Sequence, residues 1–221
     1  TEPRDSQRGS LLGPSFDEAY IKAFLDRRGV RYRHHDSDES LVRDVAGLIA
    51  SEKVVGWVQG RMEFGPRALG CRSILGDARS TSMQTTMNVK IKFRESFRPF
   101  APSVLEERVD EYFEMGQRAQ SPYMLLVAGV REDKRLNGAA ANGSVSGLDK
   151  LKAVRSLVPA ITHVDYSARV QTVDAQRHGR YHALLREFER ITGCPVVINT
   201  SFNVRGEPIV CTPEEAYRCF M

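Results

Sequence analysis

The stretch NVKIKFRESFRPFAPS, residues 88–103, carries four cations within nine residues. Read as an extended strand, it predicts two faces, because successive side chains point to opposite sides of a strand. One face would carry Lys90, Lys92, Arg94, Ser96 and Arg98, and the other would carry Ile91, Phe93 and Phe97. Because like charges at strand spacing repel one another, the stretch indicates either a solvent-exposed edge strand protected by its charges or a face that binds a strongly anionic ligand.

The positive charge of the chain is concentrated around this stretch. The net charge of the whole chain is +4. Residues 61–98 contain three acids and eight basic residues, which gives +5 in this window and leaves −1 for the rest; the basic residues are Arg61, Arg67, Arg72, Arg79, Lys90, Lys92, Arg94 and Arg98. A local excess of this kind is typical of a site for phosphate or nucleic acid rather than of a generally basic protein.

The composition is that of an ordinary globular protein. The 221 residues are 41% hydrophobic, which is enough to build a core. There is no apolar run of 18 residues and no signal-peptide pattern at the start, so the expected location is the cytoplasm. The four cysteines are scattered without a C-x-x-C motif, which argues against a thiolate zinc site and against a disulfide scaffold.

Helical and strand patterns alternate along the chain, which predicts an α/β layer fold. Helices are expected at residues 14–29, where Ser15 is the candidate N-cap, and at 40–53, 103–115 and 179–193. Strands are expected at residues 54–59, 121–130 and 195–202. Thr212, Pro213 and Glu215 form a capping-box pattern that begins a last helix.

The domain organisation follows from composition. Residues 1–12 are expected to be a linker from a missing N-terminal domain, and residues 13–221 are expected to be one domain. Residues 131–152, with NGAAANGSVSG inside them, are the candidate flexible insertion. The last helix is cut short, which suggests a piece of a longer protein.

A second polar constellation is VINTSFNVRGEP, residues 197–208. A buried strand ends there in hydroxyl, amide and guanidinium groups, carried by Asn199, Thr200, Ser201, Asn203 and Arg205. These groups predict either a polar turn that satisfies its own backbone or a site that orients a phosphate or acyl oxygen.

Two histidine patterns are also candidates. THVDYSARVQT places His163 and Asp165 near Arg169, but no activated serine or cysteine stands beside this pair, so it is either a structural hydrogen bond or a dyad. His178 and His182 lie one helical turn apart. They lack a third ligand in the sequence pattern, and we therefore predict no metal site.

Several of these segments together resemble a known family. GRMEFGPRALGCRSIL, NVKIKFRESFRPFAPSVL and PVVINTSFNVRGEPIVCTPEEA are similar to the C-terminal domain of the O-carbamoyltransferases, which include nodulation-type and antibiotic-tailoring enzymes. The resemblance runs from about Leu12 to the end of the chain. It departs at Tyr166 and Ser167, where the family more usually has Gly-Thr, and at residues 131–152, where the family is usually shorter.

The resemblance implies a YrdC-like α/β domain, with a twisted mixed sheet and flanking helices. Such a domain would form carbamoyl-adenylate from carbamoyl phosphate and ATP, with Mg²⁺, for O-carbamoylation of a small-molecule hydroxyl in natural-product or glycoconjugate biosynthesis. An N-terminal actin-like ATPase-type domain would hold an iron-type metal and perform the transfer. That domain is the expected partner.

The resemblance also implies site residues. The K-x-R signature corresponds to Lys92 and Arg94, and the S-x-N signature corresponds to Ser201 and Asn203. Lys92 and Arg98 are the expected catalytic residues. The expected carbamoyl phosphate and ATP ligands are Arg67, Arg94, Arg169, Ser201, Asn203 and Arg205.

Two alternatives remain open at this point. YrdC-like domains also occur in tRNA modification, so an RNA-binding module is one alternative. The predicted burial of Phe93 and Phe97 argues against it, because few exposed aromatics would be left to stack on bases. The other alternative is a noncatalytic docking domain for the missing N-terminal half. Nucleic acid and membrane are not expected partners.

Overall fold

A seven-stranded mixed sheet forms the centre of the computed structural model, which describes residues 5–116, 120–136 and 153–221. The strands are β1 Val55–Val58, β2 Arg72–Asp77, β3 Ala101–Leu105, β4 Phe113–Glu114, β5 Leu126–Val130, β6 Ser167–Val173 and β7 Val196–Ser201. Their order across the sheet is β1-β2-β7-β3-β6-β5-β4. β3 and β6 are parallel, and the other neighbours are antiparallel. The predicted α/β fold with a mixed sheet is confirmed.

Helices flank this sheet. They are α1 Glu18–Arg27, α2 Asp38–Ala50, α3 Met83–Lys90, α4 Val109–Tyr112, α5 Gly179–Thr192 and α6 Pro213–Phe220. Helix α5 packs along α2 and also contacts β3 and β7, and its Tyr181, Leu184, Leu185 and Phe188 side chains are fully buried. Within the described part of the chain, every helix is too short or too polar to cross a membrane.

The helix starts follow local capping chemistry. The capping box predicted at Thr212 and Glu215 is present at the start of α6. Helix α1 differs from the prediction, because its N-cap is Asp17 rather than Ser15. The carboxylate of Asp17 accepts a hydrogen bond from the backbone N–H of Tyr20 at 2.7 Å, which satisfies one of the free donors of the first turn.

The basic strand predicted over residues 88–98 is wrong. Helix α3 continues to Lys90, and an irregular segment leads from there to β3. The cause is Asn88, whose Nδ2 donates to the carbonyls of Ser96 and Arg98 and so folds the segment back on itself. A side chain that bonds to nearby backbone in this way replaces the ladder of a strand.

Two further predictions fail in the same region. Phe93 and Phe97 are 56% and 43% exposed, so they do not form the expected buried face. The helix predicted over residues 103–115 is reduced to α4, because β3 occupies the beginning of that range and the 3-10 turn Glu106–Arg108 follows it.

The two segments expected to be irregular are partly described. Residues 131–136 contain the 3-10 turn Glu132–Lys134 and a bridge between Arg135 and Ser156, whereas residues 137–152 lie outside the described residues. Near the start of the chain, the carboxylate of Asp5 accepts hydrogen bonds from Tyr123 and Arg177. The described part of the predicted linker therefore contacts the domain, and the domain boundary itself stays a prediction.

A buried arginine holds the loop between β1 and β2. Arg72 is only 1% exposed, and its guanidinium donates to backbone carbonyls from three parts of the chain: Pro14, Gln59, Gly60, Cys71 and Cys211. Burial lowers the pKa of this guanidinium, and the nearby carboxylate of Glu63 opposes that shift. Glu63 itself accepts hydrogen bonds from the backbone N–H groups of Leu69 and Cys71, both at 2.6 Å.

The same loop is fitted closely to helix α5. Gly70 has a φ of +107° and lies against the ring of Tyr181. A Cβ atom at this position would stand 2.3 Å from that ring, which is closer than atoms can approach. Glycine is therefore required here both by conformation and by space.

We expect Arg72→Met to lower the free energy of unfolding by about 3 kcal/mol, because several buried carbonyls lose their donor and Glu63 loses a nearby cation. The matched control is Arg190→Met on α5, where the arginine is exposed and its one ion pair among the described residues is with Glu187. This control should cost less than about 1 kcal/mol. Urea unfolding of both variants measures the difference, and equal losses would contradict the assignment.

Candidate functional site

A cleft of about 430 Å³ opens on the sheet beside the ends of β6 and β7. Its polar lining consists of Arg67, Arg94, Arg98, His163, Ser167, Arg169, Asn199, Thr200 and Ser201. Phe100, Met124 and Val127 form an apolar wall. Five of the eight predicted site residues thus line one cleft, although they come from segments far apart in the chain.

The cleft is strongly cationic. Four arginines line it, and no aspartate or glutamate of the described residues does. None of these arginines forms an ion pair, since no described carboxylate oxygen lies within 4.0 Å of their nitrogen atoms. Burial lowers the pKa of Arg169, and the nearby charges of Arg67 and Arg98 lower it further. Since the arginines repel one another, an anion in the cleft would be stabilised.

The arginines are held in place by neutral groups. Arg94 donates from Nε to Oδ1 of Asn88 at 2.6 Å, and its guanidinium lies 4.6 Å from the centre of the Phe100 ring. The Nε atoms of Arg67 and Arg169 are buried without a hydrogen-bond partner among the described residues. These donors are available to a ligand.

Lys92 is buried rather than exposed on a ligand face. It is 7% exposed, and its ammonium donates to the carbonyl oxygens of Ser201 at 2.5 Å and Asn203 at 2.9 Å, and to Oδ1 of Asn203 at 2.7 Å. The three N–H groups of the ammonium thus meet three close oxygens, and Oγ of Ser201 is a fourth partner at 3.4 Å. Lys92 does not line the cleft. It positions the turn after β7, and a direct role in catalysis stays a prediction.

The turn after β7 satisfies its own polar groups, as one of the two interpretations of its sequence proposed. The hydroxyl of Ser201 donates to Oδ1 of Asn203, and Nδ2 of Asn203 donates to the carbonyl of Glu207. Thr200 and Ser201, the last residues of β7, line the cleft. The other interpretation, that these groups orient a phosphate or acyl oxygen, stays a prediction.

Arg205 and Asp165 lie apart from the lining. Arg205 is exposed and donates to the carbonyl of Phe93. Asp165 accepts from the N–H and the hydroxyl of Ser167 instead of pairing with His163, and no bond between the His163 and Asp165 side chains occurs in the described part of the chain. His163 lines the cleft, and burial lowers its pKa.

His178 and His182 do not come together as ligands of a metal site. His182 contacts the carboxylate of Glu107 at 2.9 Å, whereas His178 is buried at the start of α5. Across residues 5–116, 120–136 and 153–221, no three histidine, cysteine or acidic side chains come together as metal ligands would.

Sequence reasoning missed the buried amides beneath the cleft. Oε1 of Gln171 in β6 accepts hydrogen bonds from the hydroxyl of Ser103 in β3 and from Nδ2 of Asn199 in β7. The signal was present, because Arg169 and Gln171 are two residues apart and so share a face of β6. It could not be used without knowing that β3, β6 and β7 are neighbours.

Comparison with known proteins gives the family. A model of the family "Carbamoyltransferase C-terminus" matches residues 46–221. The chain belongs to this family. The carbamoyltransferase domain is 58% identical over 219 residues to the protein sll1178 of Synechocystis, covering 98% of this chain and 35% of that protein.

Two further comparisons place this domain within longer proteins. It is 44% identical to the nodulation protein NolNO of Sinorhizobium fredii, covering 80% of this chain and 23% of that protein. The chain therefore spans about a third or less of these two relatives. The crystal structure of full-length HypF in the phosphate- and nucleotide-bound form shares the fold, with a TM-score of 0.50, 17% identity, and coverage of 86% of this chain and 20% of that chain. The YrdC-like fold class is thereby supported.

The departure at Tyr166 has a structural correlate in this carbamoyltransferase domain. Tyr166 has a φ of +63°, in the left-handed region that favours glycine, which is the residue that the resemblance led us to expect at this position. The guanidinium of Arg135 lies 5.1 Å from the centre of its ring. This stacking contact offsets part of the backbone strain.

We expect anion affinity to fall by roughly tenfold as pH rises through the titration of Lys92. Burial lowers the pKa of Lys92 to about 8, and the charge of Arg94 contributes to the shift. Sulfate is a suitable probe because its charge is constant over this range, and its affinity can be followed by arginine side-chain NMR.

The titration of Lys92 changes stability in the opposite direction from anion affinity. Above pH 8 the unfolded lysine still binds its proton, whereas the folded one has released it. Because the unfolded state then binds more protons, the contribution of Lys92 to the free energy of unfolding rises with pH from about 8 until the unfolded lysine titrates.

The control for sulfate binding is Lys92→Arg, which stays charged, so the sulfate affinity of this variant should not change with pH over the same range. An equal fall in that variant would assign the titration to another group.

Proposed function

We propose that this domain forms carbamoyl-adenylate from carbamoyl phosphate and ATP, within an enzyme that carbamoylates a hydroxyl group of a small molecule. The observation that supports the proposal is the cleft of this carbamoyltransferase-family domain, which four arginines line without a carboxylate from the described residues. Carbamoyl phosphate and ATP together bring about six negative charges, which such a cleft would neutralise.

The reaction balances in two steps. Water first cleaves carbamoyl phosphate, which gives carbamate and inorganic phosphate. An oxygen of carbamate then attacks the α-phosphorus of ATP; the new O–P bond forms, the bond to the β-phosphate breaks, and pyrophosphate leaves. Neither step needs a nucleophilic side chain, because positioning and charge stabilisation account for most of the catalysis of phosphoryl and nucleotidyl transfer.

The arginines divide this work by position. Arg67 and Arg169 each have a buried Nε donor without a described partner, which would bind phosphate oxygens, and Arg98 adds a third charge at the same cleft. Lys92 keeps Ser201 and Asn203 in place beneath them. Magnesium enters with the phosphates of ATP, since no described acid lines the cleft and Mg²⁺ in nucleotide sites is commonly bound through phosphates and water.

The transfer to the acceptor is assigned to another part of the protein. The curated relatives are about three times longer than this chain or more. An N-terminal actin-like domain with an iron-type metal is the proposed partner for that step, and the cytoplasm is the proposed location.

A second candidate is RNA binding, favoured by one observation. Phe64, Phe93 and Phe97 are 75%, 56% and 43% exposed, so the argument that their burial would exclude base stacking is removed. A gel-shift assay with single-stranded RNA at physiological salt tests this candidate. Binding that Phe93→Ala and Phe97→Ala weaken together would support it.

We expect the 221-residue chain, given ATP, Mg²⁺ and carbamoyl phosphate, to release AMP and pyrophosphate. The mixed anhydride hydrolyses once it leaves the cleft, so AMP accumulates slowly. Arg98→Ala and Arg169→Ala should each lower the rate about a hundredfold, because a charge at the reacting group is lost.

Arg186→Ala is the matched control, since this exposed arginine of α5 does not line the cleft. It should keep the rate of the wild-type chain. Two outcomes would overturn the proposal: ADP as the main nucleotide product, or AMP release that does not depend on carbamoyl phosphate.

A further inference from the structure

Asn199 carries a buried acceptor that no group in the described protein satisfies. This residue of β7 is 1% exposed and lines the cleft. Its Oδ1 atom has no hydrogen-bond partner among the described residues. A buried acceptor without a donor costs roughly 1–3 kcal/mol of desolvation, so a ligand that supplies the donor is favoured.

The orientation of this amide follows from chemistry. Nε2 of Gln171 donates to the carbonyl of Leu69 at 2.8 Å, and a carbonyl can only accept. Oε1 of Gln171 must therefore face the other way, where it accepts from the hydroxyl of Ser103 at 2.6 Å and from Nδ2 of Asn199 at 2.8 Å. The orientation of the Gln171 amide therefore fixes that of the Asn199 amide, which must present its Nδ2 to Oε1 of Gln171.

A second carbonyl fixes Asn199 independently. Its Nδ2 also donates to the carbonyl of Ala68 at 3.2 Å. Both amide protons are thereby used, and a flipped side chain would place Oδ1 against two acceptors. Oδ1 is consequently the free end of a polarised network that runs from Leu69 through Gln171 to the cleft.

We propose that Oδ1 of Asn199 accepts a hydrogen bond from the amino group of the carbamoyl unit, and that this contact selects carbamoyl phosphate over other acyl phosphates. The inference rests on the proposed function and names the selecting residue. The other polar atoms identified at the cleft are mainly arginine donors, which suit phosphate oxygens. Phosphate oxygens at neutral pH are acceptors, whereas the carbamoyl amino group is a donor and completes the pairing.

The selection works against two competitors. Acetyl phosphate presents a methyl group to Oδ1, which leaves the buried acceptor unpaired. Carboxy phosphate presents an anionic oxygen, which Oδ1 repels. A site built around an N–H contact rejects analogues that lack the group, and for one neutral contact we expect about tenfold.

Stable analogues make the test independent of turnover. Phosphonoacetamide carries the amino group, and 2-oxopropylphosphonate replaces it with a methyl group of similar size. Isothermal titration of the 221-residue chain with each analogue and with inorganic phosphate gives the selectivity directly. The wild-type chain should bind phosphonoacetamide about tenfold more tightly than the methyl ketone.

Asn199→Leu removes the acceptor at nearly constant volume and should bring this ratio to about one. Its affinity for inorganic phosphate should stay within about twofold, because the arginines are unchanged. The matched control is Ser103→Ala, which removes a donor to the same network at a fully buried position outside the cleft. Gln171 remains fixed by Leu69 in that variant, so the ratio should persist.

The outcomes separate this inference from the proposed function. Equal binding of both analogues by the wild-type chain, with phosphate still bound, overturns the role of Asn199 and leaves carbamoyl-adenylate formation intact. Failure to bind phosphate or either analogue overturns both. The inference is also overturned if Asn199→Leu keeps the wild-type ratio of affinities for the two analogues but no longer distinguishes AMP from IMP. In that case Oδ1 of Asn199 binds the amino group of adenine. If Asn199→Leu does not fold, the wild-type ratio decides.

Discussion

The ammonium group of Lys92 joins two segments that are more than a hundred residues apart. It connects the irregular segment after α3 to the turn after β7 through three oxygens of Ser201 and Asn203. A carboxylate in place of these oxygens would have neutralised the lysine and made a salt bridge. Carbonyl and amide oxygens bind the ammonium without cancelling its charge, so a positive charge stays next to Ser201, which lines the cleft. The position of the turn after β7 depends on this arrangement.

The rest of the structure supplies a rigid frame for those charges. Four repelling guanidinium groups would spread apart on a mobile loop, and here each is anchored to a strand, to Asn88, or to the loop that Arg72 and Glu63 hold. Buried ionic groups are costly to desolvate, and for Arg72 and Lys92 this cost is offset by hydrogen bonds to backbone carbonyls. Binding of an anion then requires little rearrangement, which favours affinity.

The sequence predicts the composition of this site better than its geometry. The K-x-R and S-x-N signatures identified Lys92, Ser201 and Asn203, which are indeed neighbours, and the charge window located Arg67 and Arg98. The prediction of a basic strand failed because the alternation of side chains carries no information about the hydrogen bonds that Asn88 makes to the backbone eight and ten residues ahead. The burial of Lys92 was missed for a related reason: a charged residue is normally assigned to the surface, and its partners, Ser201 and Asn203, lie more than a hundred residues further along the chain. The amide network needed the sheet order.

The contact between Gly70 and Tyr181 makes these two positions a single unit of variation. Any side chain at position 70 would collide with the ring and would also adopt a strained φ of +107°, so shortening Tyr181 removes only one of the two obstacles. Shortening Tyr181 also leaves a cavity in a fully buried part of the core. Changing both residues therefore does not restore stability, and homologous sequences should retain the two residues together.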